Sequence, residues 1–518
     1  MKKTTALFLS VLMVLTLVVS MASFAVSADT PITADKTWYK DDQNEFILTT
    51  PAQLLGFAEL LNDGKNFEGK TVKLGNDITI NKDFDGNKPT DASGLIDWPV
   101  KQQKAFYGTF DGQNHAIIGL YVSAENATAW GYGIFGYNTE ANGKPTTIKN
   151  LAIIKSYVLA KNATTGVLLG GVGGKSNISI SNCYIDVNLE AHASLADVME
   201  FGGMIGSAFG SSTVNITNCV VAGDINFPNN ASTGGYIGHA KDTSNVTINN
   251  CAMYGSMTGK NNSNCGFIGR VSNGTIKITN CICAGNVTNV AAAFYTPAWN
   301  INANAYIEVN KSLYTSEYPK AYGAATGYTA PNVDTSKLIN DKTTITGSAA
   351  IATLKANSFD MANTWVATVK GMPMPKSVAS MIGALEVIDL EANYNSAFFG
   401  YQTTAVNNGE FGVRLIAVVD SLDYVDAGFK VTAVCEDSER NNTTGDSGYS
   451  VEKVYESIVA ADVTYKVSDL SNQGGYIITL VINGFKTTEG TVNFTVQTFA
   501  GENVSGQTAF SIDTTKVS

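Results

Sequence analysis

Short stretches of alternating apolar and polar residues recur through the middle of this 518-residue chain. Three of them read TVNIT at 213–217, NVTIN at 245–249 and TIKIT at 275–279. A period of two residues is typical of a β-strand with one buried face, and Gly and Asn separate each stretch from the next. The pattern therefore predicts strands rather than helices in this region.

These stretches belong to a repeat with a period close to 31 residues. Its most regular feature is an Asn followed by Leu or Cys, with weaker copies before and after. The second position of this pair recurs at residues 120, 151, 183, 219, 251, 281 and 312, with spacings of 31, 32, 36, 32, 30 and 31. A Gly-rich element, such as GGYIG at 234–238, recurs in phase with it. A repeat of this period indicates a solenoid.

Each repeat unit offers about three strands, which together would form one coil of a parallel β-helix. The Asn of successive coils is expected to form a ladder, each side-chain amide bonding to the amides above and below. The ladder residues are Asn150, Asn182, Asn218, Asn250 and Asn280. The next position holds Leu in early coils, which makes it a core position. In later coils it holds Cys183, Cys219, Cys251 and Cys281.

We expect these cysteines to be free buried thiols, because disulfide frameworks are typical of small domains without a large core. Neighbouring strands lie about 4.8 Å apart, a separation that a disulfide tolerates. A bond between neighbours such as Cys219 and Cys251 is therefore the alternative. Cys281 and Cys283 share one face of a strand, but no His lies near them in sequence, which disfavours a metal site.

The units resemble the GLUG repeat of bacterial surface and secreted proteins, some immunoglobulin A peptidases among them. The resemblance rests on segments such as GGMIGSAFGSSTVNITNCVVAGDI at 202–225 and covers about residues 130–290. It implies a right-handed parallel β-helix in a surface or secreted protein of Firmicutes-type bacteria, with a non-catalytic repeat array. Residues 363–376 resemble the strand that closes such β-helices.

The N-terminal part of the chain predicts an export signal followed by a cap. Lys2, Lys3 and an apolar run precede small residues at 26–28, which indicates a signal peptide over 1–28. An uncleaved anchoring helix is the alternative. In the N-terminal segment 29–105, Thr50 and Pro51 predict the start of a helix over 51–62 that caps the first coil, followed by the first strands.

The remaining chain divides at about residue 376. The β-helix, with coils of about 31 residues, is predicted over 106–376. Short strand patterns after it, such as 412–419 and 476–482, predict an antiparallel β-sandwich over 377–518. The expected fold is thus all-β, with the capping helix as its main helical element.

Charge and composition exclude several classes of function. The net charge is −11, and nucleic-acid binding through phosphate neutralisation is therefore not expected. No integral membrane segment is expected after signal cleavage. No phosphate loop or Gly-x-Ser-x-Gly occurs, and no catalytic residues are assigned. A polysaccharide-processing enzyme would use Glu190 and Asp224 as a carboxylate pair on neighbouring coils, with Arg270 as the cationic residue.

Outward positions of the repeat strands carry amides, hydroxyls and a cation. Asn215, Thr247 and Lys277 are the candidate ligand-binding residues of this flat surface, with an ordinary solvated face as the alternative. Tyr424 is a candidate for stacking on a sugar, or else a core aromatic residue. Asp420, Asp423 and Asp426 recur every third residue in a predicted loop. They are candidate Ca²⁺ ligands, with ordinary loop carboxylates as the alternative, and no other cofactor is expected.

The sequence favours a secreted or cell-surface adhesin or binding protein that attaches without a covalent anchor. Its expected partners are glycans or other host or bacterial cell-surface components, contacted along an extended β-helix. The alternatives are a polysaccharide lyase or glycoside hydrolase on a β-helix scaffold, and a structural component of the envelope or matrix.

Overall fold

The structure is a computed structural model, and most of the coils and parts of the C-terminal region are described in it. The described residues are 32–99, 105–123, 131–139, 143–161, 163–192, 195, 199–227, 231–260, 264–298, 300–325, 328–329, 332–347, 349–368, 371–384, 396–419, 427–435, 453–454, 476–488, 490–500, 503–504 and 508–517. The predicted signal peptide lies outside these residues.

The central part of the chain is a parallel β-solenoid of about six coils, which confirms the predicted all-β fold. We number the coils by the residues of their strands: coil 1 is 131–160, coil 2 is 164–191, coil 3 is 200–226, coil 4 is 232–258, coil 5 is 264–288 and coil 6 is 295–315. Strands of successive coils pair in parallel and in register, as Thr213 pairs with Asn245 and Asn245 with Thr275.

Three parallel sheets run the length of the solenoid. The strands of the long sheet are Glu45–Leu48, Thr71–Leu74, Ile78–Thr79, Thr109–Ile118, Tyr121–Val122, Pro145–Ala160, Asn177–Ala191, Thr213–Thr217, Val220–Val221, Ile225–Asn226, Asn245–Asn249, Ala252–Met253, Met257–Thr258, Thr275–Thr279, Ile282–Cys283, Val287–Thr288, Tyr306–Asn310, Leu313–Thr315, Val333–Asp334 and Lys337–Ile339. Those of the second sheet are Gly131–Tyr132, Thr164–Gly166, Glu200–Gly202, Ser232–Gly234 and Asn264–Cys265. Those of the third sheet are Tyr137–Asn138, Leu169–Val172, Ile205–Ala208, Ile237–Ala240, Ile268–Val271 and Tyr295–Pro297.

Coils 3 to 5 each contain five short strands, where the sequence predicted about three. Two strands come from the Gly-rich element, and three belong to the long sheet. In coil 3, Gly223 separates the second and third of these, and a Cβ atom there would lie 2.2 Å from the Val187 carbonyl oxygen of coil 2. The close approach of the two backbones therefore requires Gly and interrupts the strand.

The Asn residues of the repeat lie at a bend of the long sheet. In coils 1 and 2 this bend is within the strands Pro145–Ala160 and Asn177–Ala191, and in coils 3 to 5 it comes directly after the first long-sheet strand. All five have positive φ, between 51° and 54°, a conformation that Asn tolerates better than most residues. Asn182, Asn218 and Asn250 each donate from Nδ2 to the Oδ1 of the preceding ladder Asn, at 3.0, 3.2 and 3.2 Å. Asn150 donates to Asp111. The buried Oδ1 of Asn280 has no hydrogen-bond partner, because Lys311 holds the ladder position of the next coil.

The cysteines after these Asn residues form a column of free, fully buried thiols. Each Sγ lies near the carbonyl oxygen two residues earlier, for example Cys219 Sγ at 3.2 Å from Thr217 O. Cys265 and Cys283 are also free and buried. Burial raises the pKa of the Cys265 thiol to about 12, so this group stays protonated and unreactive at neutral pH. Among the described residues, no group of three or more His, Cys, Asp or Glu is placed to hold a metal ion.

The helix Pro51–Asn62 covers the N-terminal end of the core. The Thr50 hydroxyl accepts a hydrogen bond from Gln53 N, so Thr50 is its N-cap residue. Phe57 lies on the buried face, with its ring centroid 5.1 Å from that of Phe67 and 5.5 Å from that of Phe110. This aromatic cluster closes the core where the first strand, Glu45–Leu48, would otherwise leave it open.

The segment after the coils packs along their side instead of closing their end. Strands Trp365–Val366 and Met374–Pro375 form an antiparallel pair, followed by the helix Lys376–Met381. Trp365 belongs to a second apolar cluster with residues from coils 3, 4, 5 and 6, namely Val220, Ala252, Ile282 and Leu313. These point away from the main core, and covering them removes an apolar stripe from water. The cluster also includes residues of the helix Ala349–Ala356. A 3₁₀ turn at Lys342–Ile345 precedes this helix.

The C-terminal region contains two antiparallel sheets. One sheet consists of Ser396–Thr403, Glu410–Val419 and Tyr476–Lys486. The other consists of Ala427–Cys435, Lys453–Val454, Thr491–Ala500, Asn503–Val504 and Thr508–Asp513, before a 3₁₀ turn at Thr514–Lys516. Apolar side chains of both sheets, such as Leu415 and Phe494, form one cluster, an arrangement like that of a β-sandwich. Within the described part of the chain, no helix is long and apolar enough to cross a membrane.

Candidate functional site

A groove on the outer face of coils 1 to 4 combines charged and polar side chains. Its volume is about 270 Å³. It follows the third long-sheet strand of the coils, where Glu190 pairs in register with Asn226 and Asn226 with Thr258. The lining residues are Lys88, Tyr157, Asn188, Leu189, Glu190, Asp224, Ile225, Asn226, Ser256 and Thr258.

The end wall of the groove comes from a loop that precedes the coils by many residues in sequence. Gly86 packs so closely on coil 1 that a Cβ atom there would lie 2.5 Å from the Lys155 carbonyl carbon. Asn188 Nδ2 donates to the carbonyl oxygen of Gly86 at 2.9 Å. These contacts fix the position of Lys88, two residues further along the loop.

Glu190 is the carboxylate nearest to the end wall. Its Oε1 lies 2.6 Å from Lys88 Nζ, and its Oε2 accepts a hydrogen bond from the Tyr157 hydroxyl at 2.9 Å. Burial and the hydrogen bond to Glu190 both raise the pKa of Tyr157, so the phenol stays protonated and continues to donate. Lys88 and Tyr157 therefore fix the position of both carboxylate oxygens of Glu190.

Asp224 lines the groove on the next coil. Its Oδ1 accepts a hydrogen bond from the backbone N–H of Ser256 at 3.1 Å, and its own N–H donates to Asn188 Oδ1 at 3.0 Å. Burial and the charge of Asp224 raise the pKa of nearby Asp186. The register places Asp224 and Glu190 on neighbouring coils, as the sequence suggested, with Cα atoms about 8 Å apart.

The predicted binding residues form a second, flat surface on the first strand of the long sheet. Asn215 pairs in register with Thr247, and Thr247 with Lys277. Asn215 and Lys277 are exposed and Thr247 is half-buried. The column continues through Glu308 in coil 6. Tyr424, Asp420, Asp423 and Asp426 lie outside the described residues, so their predicted roles stay predictions.

The groove contains side chains that sequence reasoning did not select. Lys88 lies 102 residues before Glu190, in a loop without a repeat, and no sequence spacing indicates their contact. Tyr157 and Asn188 pair in register on coils 1 and 2, so they stand at equivalent positions when the repeats are aligned. An alignment of the repeats could therefore have shown that these two side chains are neighbours. It could not have shown that they face outward, because that depends on the residue at which the third long-sheet strand begins.

Comparisons with known proteins do not identify a family for this chain. No family model matches the chain, and no curated protein matches it. A solved structure that is similar is the enzymatically active domain of bacteriophage CBA120 tailspike protein 4, at 9% identity and a TM-score of 0.21. The match covers 88% of this chain and 66% of that one. A TM-score this low says nothing about a shared ligand or activity, and the GLUG resemblance stays a prediction.

Proposed function

We propose that the protein is a secreted or cell-surface glycan-binding protein, with the groove as its main binding site. The observation that carries the proposal is the groove itself, a concavity with carboxylate, amide, hydroxyl and phenol groups within one small volume. Sugar hydroxyls both donate and accept hydrogen bonds, so they match carboxylate acceptors such as Glu190 and two-sided amides such as Asn226. Lys88 and Tyr157 hold Glu190 in place before a ligand arrives, which lowers the entropy cost of binding.

The charge of the site selects among glycans. Glu190 and Asp224 place two carboxylates at the groove, and the whole chain has a net charge of −11. An acidic polysaccharide would meet repulsion from both. We therefore expect neutral or amino-sugar polymers to bind and acidic polymers to bind poorly.

Repetition of the coils supports contact with an extended polymer. Asn226 and Thr258 present polar side chains at the same position of successive coils, and Asn215, Thr247 and Lys277 do so on the flat surface. A polymer lying across several coils would meet several weak contacts, and linked contacts raise the overall affinity. The flat surface would then extend the groove rather than act alone.

Two exposed Asn residues of coil 3 give a matched pair of variants for the test. Asn226→Ala removes an amide from the groove, and Asn215→Ala removes one from the flat surface. Binding of residues 29–518 and of both variants is measured against neutral, amino-sugar and acidic polysaccharides by affinity electrophoresis. We expect Asn226→Ala to weaken binding about 5- to 10-fold, equivalent to one lost hydrogen bond of about 1 kcal/mol. Asn215→Ala should change it less than about 2-fold.

Each other outcome assigns a different function. Equal losses for the two variants would transfer the main site to the flat surface. Release of new reducing ends from any polymer would favour the polysaccharide-processing alternative, with Glu190 and Asp224 as the residues to replace first. A lack of binding to every polymer would contradict the proposal and favour a structural envelope component.

A further inference from the structure

Three consecutive coils bring together a carboxylate, an imidazole and a hydroxyl on the third sheet side of the solenoid. Glu200 lies in coil 3, His239 in coil 4, and Ser272 directly after a strand of coil 5. His239 Nδ1 lies 2.8 Å from Glu200 Oε1, and His239 Nε2 lies 2.6 Å from Ser272 Oγ. The imidazole therefore contacts the carboxylate through one nitrogen and the serine hydroxyl through the other.

The environment of Glu200 sets the direction of these hydrogen bonds. Its side chain is 13% exposed, and Lys241 Nζ lies 2.7 Å from the same Oε1. Burial alone would raise the pKa of Glu200, but its contacts with His239 and Lys241 outweigh burial and lower this pKa to about 2. An ionised Glu200 only accepts, so Nδ1 carries the proton. In the neutral imidazole, Nε2 then accepts from the Ser272 hydroxyl.

This order of contacts is the one that activates a serine. A base within hydrogen-bond reach accepts the hydroxyl proton, and a third group fixes the orientation of the base. His239 is almost fully buried, whereas Ser272 is half-buried, so the outer member of the three is the one that a substrate reaches. Arg270 lies two residues before Ser272, in the strand Ile268–Val271, and pairs in register with His239, so it adds positive charge to this part of the coils.

Aromatic rings lie along the same side of the coils. Phe209 and Tyr137 are half-buried, with ring centroids 6.1 Å apart, and Lys241 Nζ lies 5.7 Å from the Phe209 centroid. Each ring rests on a Gly of coil 2, because a Cβ at Gly171 or Gly173 would collide with it. Aromatic faces stack on the apolar faces of sugar rings, so they point to a carbohydrate as the carrier of the reacting group.

We propose that Ser272, His239 and Glu200 form a hydrolytic site that removes short acyl groups from esters on carbohydrates. Ser272 and His239 are the catalytic residues, and Glu200 and Lys241 are positioning residues. The site is separate from the groove and does not depend on glycan binding there.

The reaction needs only the ester and water. Ser272 Oγ attacks the ester carbonyl carbon while His239 Nε2 takes the hydroxyl proton. The bond from the carbonyl carbon to the sugar oxygen then breaks, and His239 returns the proton to that oxygen. Water, deprotonated by His239, attacks the acyl-serine, the carboxylic acid leaves, and Ser272 regains its proton. The positive charge of Arg270 favours the oxyanion that forms in both steps.

Covalent labelling tests the nucleophile without any need for the natural substrate. Residues 29–518 are treated with a fluorophosphonate probe, and the modified peptide is identified by mass spectrometry. We expect one label, on Ser272, and none after Ser272→Ala. Ser211→Ala is the control, because Ser211 is an exposed serine of coil 3 whose hydroxyl contacts Thr243 and no His. Absence of label from Ser272 in the wild-type chain, or equal labelling of Ser272→Ala, would overturn the proposal.

Hydrolysis of p-nitrophenyl acetate and acetylated xylan tests the role of Glu200. The Glu200→Gln variant keeps the shape of the side chain but no longer orients the imidazole as an anion does. We expect kcat to fall about 10²- to 10⁴-fold with KM little changed. Ser272→Ala should reduce hydrolysis to the uncatalysed rate. If Glu200→Gln lowers the melting temperature but leaves the hydrolysis rate at the wild-type value, the three residues are a structural network and the proposal is wrong.

Discussion

The two faces of the first long-sheet strand differ in how much their residues vary from coil to coil. The inward column hardly changes from coil to coil and consists of Ile148, Ile180, Ile216, Ile248, Ile278 and Val309. The outward column changes at almost every coil and consists of Thr147, Ser179, Asn215, Thr247, Lys277 and Glu308. All inward residues are fully buried, and they stack on their own kind.

The difference shows which positions the fold determines and which it leaves open. An inward side chain fills a space bounded by equal neighbours above and below, so its volume is fixed by close packing. An outward side chain meets water and constrains only solubility and contacts with a partner. Residues that repeat from coil to coil therefore indicate the fold. Residues that differ between coils, such as Glu190 or His239, form the candidate functional sites.

Replacing neighbouring residues on the two faces of one strand gives the largest expected contrast. Ile216→Ala leaves a cavity in the core and should lower the free energy of unfolding by about 2–5 kcal/mol. Asn215→Ala, one residue earlier, should change it by less than about 0.5 kcal/mol. Urea denaturation of residues 29–518 measures both. Comparable losses of unfolding free energy for the two variants would mean that the outward column also stabilises the fold.

The Glu200 network tests whether an outer charged cluster stabilises the coils as much as a core residue does. The pKa of Glu200 is lowered to about 2 from a usual value of 4.5. Its stabilising contribution is then complete above about pH 5 and is lost as pH falls toward 2, by about 3 kcal/mol in total.

The measurement compares the wild-type chain with Glu200→Gln at several pH values. We expect their difference in unfolding free energy to shrink as pH falls from 5 to about 2, since the protonated carboxyl and the amide are then alike. A difference that is constant over this range would show that the charge of Glu200 contributes nothing to stability.

The sequence predicted the parts of the fold that repeat. The parallel coils follow from alternating stretches such as Thr213–Thr217, and the N-cap at Thr50 follows from local chemistry alone. Contacts between residues far apart in sequence were not predictable. Lys88 reaches Glu190 because Gly86 allows a loop to lie against coil 1, and nothing in the local sequence of either residue indicates it.

The same limit explains why the Ser272 site escaped the motif search. Ser272 lies 33 residues after His239, and His239 lies 39 residues after Glu200. These separations match roughly one coil each, so the three residues meet only when the coils are stacked in register. Known serine motifs depend on local turns, and none of them describes residues that converge by stacking.

The Asn ladder belongs to neither column, because it lies at a bend of the long sheet. Its replacement gives the smallest expected change in the free energy of unfolding. Asn218→Ala removes its hydrogen bonds to both neighbouring coils and places Ala at φ 54°, which should cost about 1–2 kcal/mol of unfolding free energy. Asn218→Gly removes the same bonds but adopts this φ without strain, so it should cost less.

Lys311→Gly is the control for the ladder, because Lys311 has φ 47° at the equivalent bend but no side-chain amide. Thermal denaturation of the three variants separates the two contributions. The Ala and Gly variants at 218 differ by the backbone strain, and Lys311→Gly relieves this strain with no ladder hydrogen bond to lose. If Asn218→Gly is as stable as the wild-type chain, the amide ladder adds no net stability. Asn would then recur at the bend only because it tolerates positive φ. The bend position, like the inward column, would be determined by the fold.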